Sequence, residues 1–154
     1  MPSNRRRRVL AVTAAFVVLV SIVVAFGYFE VHTLVIDDRV AETVPVEGEA
    51  SWQGSFESLD HETAGIASVI GSGDERYVRF EDFHTSNGPD LRVYLIPDDG
   101  DGVYDAIDLG PLKGNVGDQN YLLPTTADLT HYSRVLVWCV RFDSPFGAAT
   151  LSPS

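Results

Sequence analysis

Residues 134–142 read RVLVWCVRF, and the fold follows from them. Alternate side chains of a strand point to opposite faces. Leu136, Trp138, Val140 and Phe142 therefore share one face, and Val135, Val137 and Cys139 the other. A stretch apolar on both sides predicts a central strand covered on each face. Working outward, Leu91, Val93 and Leu95 alternate with Arg92 and Tyr94, the pattern of a strand with one buried face. Residues 77–83 place Val78 and Phe80 on one face and Tyr77 and Phe83 on the other. Residues 64–70 supply another strand, ended by Gly71, Ser72 and Gly73. Turn residues interrupt these runs at intervals of about eight to twelve, notably Asn87, Gly88 and Pro89, and the Asp/Gly-rich residues 98–102. No helix-length period competes, so residues 52–151 are expected to form one all-β domain, a β-sandwich or barrel-like body of roughly eight strands. Its expected core is Phe56, Val78, Phe80, Val93, Leu95, Leu136, Trp138 and Phe142.

Upstream the pattern is different. Residues 9–29, VLAVTAAFVVLVSIVVAFGYF, run for 21 positions without a charge, which as a helix gives about 30 Å, the thickness of a bilayer core. Arg5 to Arg8 form a basic cap at residues 1–8. A cleaved secretory signal has a shorter apolar region and a small-residue cleavage pattern. Here the run closes on Phe26, Gly27, Tyr28 and Phe29, which suit an interfacial belt. The expectation is one retained transmembrane helix, with the basic N-terminus cytoplasmic and the domain extracytoplasmic by the positive-inside rule. Residues 30–51 hold seven charged residues with Pro45 and Gly48 and read as an acidic, mostly extended tether with a coil reach of roughly 25 Å. Within it, only residues 33–36 offer material for an additional first strand.

All 22 acidic residues lie at Glu30 or beyond, against seven basic ones there, a net charge of −15. Such a body repels phosphate backbones, which excludes nucleic acid as its partner. One cysteine among 154 residues excludes an internal disulfide, a Cys-x-x-Cys redox couple and a four-cysteine zinc ribbon. No nucleophile elbow, His-Glu-x-x-His or phosphate-cradling loop is present. Glu81 and Asp82, as strand neighbours, point to opposite faces and cannot share a proton.

Several segments occur in a telling order. They are Gly54-Ser55-Phe56, Asp60-His61 with Ala64-Gly65, Phe83 leading to NGPDLRVYL at residues 87–95, LGPLKGN at 109–115, and GDQNY at 117–121 with Pro124. Val137-Trp138-Cys139, Phe142 and FGAA at 146–149 before Leu151 close the series. Together they resemble the DM thirteen domain, the electron transfer DM family, over residues 52–151. The resemblance implies a β-sandwich-like extracytoplasmic module whose characteristic cysteine serves redox chemistry or holds a prosthetic group.

Cys139 is the redox candidate. The other reading makes it a small buried hydrophobe beside Val135 and Val137. Arg141, two residues on, shares its face and would lower the thiol pKa if the side chains converged. His61 matches the family pattern. If the implied prosthetic group is a haem, axial ligands could come only from Cys139, His61, His84 or His131, because Met1 is the sole methionine and His32 belongs to the tether. The alternative for each histidine is a locally hydrogen-bonded surface residue. Five aspartates between residues 98 and 108 suggest calcium, but they lack the EF-hand spacing and its closing glutamate, and no metal site is assigned. Two functional readings follow. One is a membrane-anchored redox module acting through Cys139 on a redox protein partner; the other is a binding or adhesion module of the cell envelope with Cys139 in the core.

Overall fold

The computed structural model describes residues 4–27, 37–100 and 102–154. Helix α1 (Asn4–Gly27) contains a stretch long and apolar enough to cross a membrane. It begins earlier than the apolar run, at Asn4, because arginines are good helix formers. Its two hydroxyls are satisfied within the helix, Thr13 Oγ1 donating to Val9 O at 3.0 Å and Ser21 Oγ to Val17 O at 2.9 Å. Neither therefore presents an unpaired donor to an apolar medium. Tyr28, Phe29, His32 and residues 33–36, with the expected span end and the extra strand, lie outside the described residues.

The body is built from β1 (Arg39–Ala41), β2 (Trp52–Ser58), β3 (Thr63–Ser72), β4 (Glu75–Thr85), β5 (Leu91–Ile96), β6 (Ile107–Pro111), β7 (Val116–Leu123), β8 (Arg134–Cys139), β9 (Ser144–Thr150) and β10 (Ser152–Pro153). They form one curled sheet in the order β1-β7-β4-β3-β2-β9-β8-β5-β6, with β10 on β2. Strand β2 turns the corner. Trp52 to Ser55 pair with β3, whereas Phe56 to Ser58 pair with β9. The two halves of the sheet thus face one another across a common core, a half-barrel with sandwich-like packing.

Strand β8 lies between β5 and β9, the central place that two apolar faces demand. Val135, Val137 and Cys139 enter the main core with Phe56, Val78, Phe80, Val93 and Leu95. Leu136 and Trp138 enter a smaller cluster on the outer face, with Ile96 and Ala148. Two expectations fail. Phe142 was assigned to the core, but β8 ends at Cys139, and residues 140–143 form the turn to β9. Val140 and Phe142 are 43% and 63% exposed there. Strict alternation had been carried past the strand end, where Asp143 in the left-handed region (φ 51) reverses the chain.

Phe83 was assigned to the face opposite Phe80, yet both are buried in one cluster with Phe56. Their ring centroids lie 4.8 to 5.0 Å apart. The reason is a bulge: β4 carries one extra residue relative to both neighbours, with register shifts between Ala64 and Ile66 and between Phe80 and His84. Asp82 takes a left-handed φ of 48°. The extra residue resets the alternation and turns Phe83 inward. Gly65 faces the bulge at φ +125, where an added Cβ would stand 2.7 Å from the Phe83 Cα.

The body also takes in residues that the sequence pattern gave to the tether. Strand β1 adds to β7 in parallel, Arg39 opposite Val116 and Ala41 opposite Asp118.

Candidate functional site

Strand directions bring a specific set of segments to one end of the curled sheet. They are the β2–β3 connection (59–62), the β4–β5 loop (86–90), the β6–β7 loop (112–115), the β8–β9 turn (140–143) and the entry of the chain at Asp37 and Asp38. Hydrogen bonds tie them together. Val140 N donates to Asp90 O at 3.1 Å, Ser86 N to Glu62 O at 3.0 Å, Leu112 N to Leu91 O at 2.8 Å and Asp60 N to Pro145 O at 3.1 Å.

A cleft of about 200 Å³ opens here, lined by Asn87, Gly88, Asp90 and Leu91 from one loop and Pro111, Leu112, Gly114 and Asn115 from another, with Asp38 between. Asn115 knits the rim. Its Oδ1 accepts from Asp38 N at 2.7 Å, and its Nδ2 donates to Asp37 Oδ1 at 3.0 Å and to Thr85 O at 3.2 Å. The Asn115 amide, aided by Asn87 and Arg39 against some desolvation, holds the Asp37 carboxyl below its ordinary pKa.

Cys139 lies behind the first loop. It is fully buried, and its Sγ donates to Pro89 O at 3.0 Å. Leu91 is its register partner on β5 and Ser144 on β9. Arg141, expected on the same strand face, lies in the turn beyond the strand end. His61 stacks on the buried Phe146, ring centroids 3.8 Å apart at 23°, at the same end of the sheet.

The other candidates are dispersed. His84 faces Glu62 at 4.0 Å and His131 faces Asp105 at 3.7 Å. Of the aspartates of 98–108, Asp108 binds Arg92 at 2.7 Å and Asp105 accepts from Tyr132, while Asp101 lies outside the described residues. Among the described residues no group of three or more His, Cys, Asp or Glu could hold a metal ion. Cys139 as placed does not fit a haem. An axial donor needs a lone pair open to the iron, whereas the Cys139 sulfur is enclosed by core side chains and the Pro89 carbonyl.

Sequence reasoning missed a buried polar clamp between β1, β7 and β4. Arg79, 5% exposed, reaches four acceptors: Glu81 Oε1 at 3.1 Å, Glu42 O at 3.2 Å, Asn120 Oδ1 at 3.0 Å and Asp118 Oδ2 at 2.8 Å. Glu42 in turn takes Lys113 Nζ at 2.7 Å and Asn120 N at 2.8 Å. Desolvation pushes the Glu42 pKa up, but the bonds from Lys113 and Asn120 outweigh it, and the net shift is downward. Burial raises the Tyr121 phenol well above its ordinary value; its hydroxyl donates to Gln119 Oε1 at 2.6 Å. The available signal was an arginine between Val78 and Phe80 in a strand, with a row of amides at Gln119 and Asn120.

No curated protein matches the chain, and no solved structure does. The family model described as Electron transfer DM13 matches residues 55–151. That span includes both loops that line the cleft and the cysteine behind them, and the chain belongs to the Electron transfer DM13 family.

Proposed function

We propose that the chain is a membrane-anchored, extracytoplasmic electron-transfer module in which Cys139 is the redox group. Family membership supports the electron-transfer part. The observation that carries the rest is a convergence: the NGPD and LGPLKGN segments line one cleft, and Pro89 of the first accepts the hydrogen bond of the only thiol. Helix α1 and the four arginines at its start support the anchor and its orientation. The chemistry open to one thiol is limited. With a partner disulfide, the Cys139 thiolate attacks one sulfur, a mixed disulfide forms, the partner's second sulfur leaves as thiolate, and the Cys139 proton passes to solvent. No internal bridge can follow.

This reading requires Sγ to be uncovered, by displacement of Pro89 and its loop. A second reading is favoured by the burial itself: a binding module of the envelope in which Cys139 is a core residue. Thiol labelling separates the two. On the first, the native full-length chain reacts with a thiol reagent at about pH 6 faster than free cysteine does, and Cys139→Ser abolishes that reaction while the fold survives. Reaction only after denaturant overturns the first reading in favour of the second.

A further inference from the structure

We infer that the cleft end of the domain rests on the bilayer that holds α1, with Phe142, Val140 and Leu59 at the lipid headgroup boundary. This rests on the anchor reading proposed above.

Three observations lead there. The first is where the chain enters. Residues 28–36 separate Gly27, the last described residue of α1, from Asp37, and Asp37 is bonded to Asn115 and Asn87 at the cleft. Ten peptide steps reach at most about 35 Å fully extended. The second is the length of the body. The 11 residues of β4, at about 3.4 Å each, make it roughly 35 Å from end to end. Turning the domain over would put the entry point that far from the lipid and stretch the connection to its limit.

The third observation is what that end displays. Phe142 is 63% exposed at the tip of the β8–β9 turn, beside Val140 at 43%, and Leu59 of the adjacent connection is 40% exposed. Hydrogen bonds from Leu59 N to Phe146 O and from Ser144 Oγ to Asp60 Oδ2 hold the two segments together. An aromatic and two aliphatic side chains raised on neighbouring turns suit an interface in which apolar groups sink about 5–10 Å. Asp60, Asp90 and Asp143 surround them, so the lipid that fits is zwitterionic and not anionic. The consequence for function is that whatever reaches the cleft comes from the membrane-adjacent layer.

The test uses the full-length chain in phosphatidylcholine vesicles, with and without acyl-chain-brominated phosphatidylcholine. Phe142→Trp adds a reporter at the proposed contact, Leu59→Trp repeats it on the second segment, and Tyr104→Trp adds one on the β5–β6 loop at the opposite end. The added emission of Phe142→Trp and Leu59→Trp should fall by about half with brominated lipid, and that of Tyr104→Trp should not change. Vesicles that float with the chain while all three reporters remain unquenched overturn the inference and leave the anchor intact. A blue shift at Phe142→Trp without bromine quenching means that protein, not lipid, covers this end, and also overturns it. A chain that fails to float overturns the anchor and this inference together.

Discussion

Replacing Arg79 with methionine tests whether β1 is clamped to the sheet by a desolvated cation. The guanidinium makes four hydrogen bonds, and bonds to charged groups contribute about 1.5–3 kcal/mol each when buried. Two of the four must be discounted, because Glu81 and Asp118 are 44% and 37% exposed and rehydrate when the cation leaves. The loss then falls on Asn120 Oδ1 and the Glu42 carbonyl, and the methionine stem recovers part of the packing. The expected net loss is about 3 kcal/mol. Unfolding entropy of about 2.1 cal/mol/K per residue over residues 37–154 is roughly 0.25 kcal/mol/K, so Tm should fall by about 12 °C. Tryptophan fluorescence during a thermal scan of the full chain in micelles measures it. Amide exchange provides the local readout: residues 39–43 should lose protection well before β5, β8 and β9 do. A Tm change under about 4 °C, or exchange that rises evenly across the sheet, would refute the clamp.

Other outcomes follow from the same geometry. Phe83→Ala should cost about 3–5 kcal/mol and Phe142→Ala no more than about 0.5 kcal/mol in parallel denaturant titrations, the reverse of what uninterrupted alternation predicts. Gly117→Ala should detach β1, because at φ +106 the added Cβ meets the Val40 carbonyl oxygen; loss of exchange protection confined to residues 39–43 checks it. Asp37 and Glu42 have folded pKa values below their unfolded ones, so their contribution is whole above about pH 4.5 and is lost as pH falls through the lowered values. The protection of β1 amides, corrected for intrinsic rates, should therefore drop in that acid window. Chelator and reductant should leave Tm unchanged, since no cluster of metal-binding residues appears among the described residues and the single cysteine is free.

The all-β body was legible because burial imposes a period of two on residues 91–95 and 134–139, and those strands lie where the pattern puts them. The pattern misled where a single residue broke the period. Asp82 adds one position to β4 and turns Phe83 inward; nothing in residues 80–85 marks that event except an aspartate able to hold a left-handed backbone. The β8 run was read three residues too far because Val140 and Phe142 are apolar, although Asp143 and Ser144 already signal a turn. Strand β1 was hidden for another reason. Arg39-Val40-Ala41 is too short and too polar to show a period, and its partner β7 is some 75 residues away in sequence. At the site, Cys139 and His61 could be named from the sequence, but not the enclosure of the sulfur by Pro89 or the stacking of His61 on Phe146. Both depend on loops from distant strands meeting at one end.

That meeting depends on the direction of one short pairing. Among the described residues every other pairing in the sheet is antiparallel, so alternate connections fall at opposite ends. The cleft, the thiol and the β8–β9 turn share an end because β4, β6 and β8 finish there and β5, β7 and β9 begin there. Strand β1 is the exception, running parallel to β7, and a parallel neighbour must start where β7 starts, at the β6–β7 loop. Had β1 paired antiparallel, the chain from α1 would have reached the body at the other end, beside the 97–106 loop and far from Cys139. Gly117 admits the Val40 carbonyl into the β7 edge, Asn115 fixes Asp37 and Asp38, and Arg79 holds the Glu42 carbonyl. These contacts set the direction of β1, and with it the end of the domain to which the helix is joined.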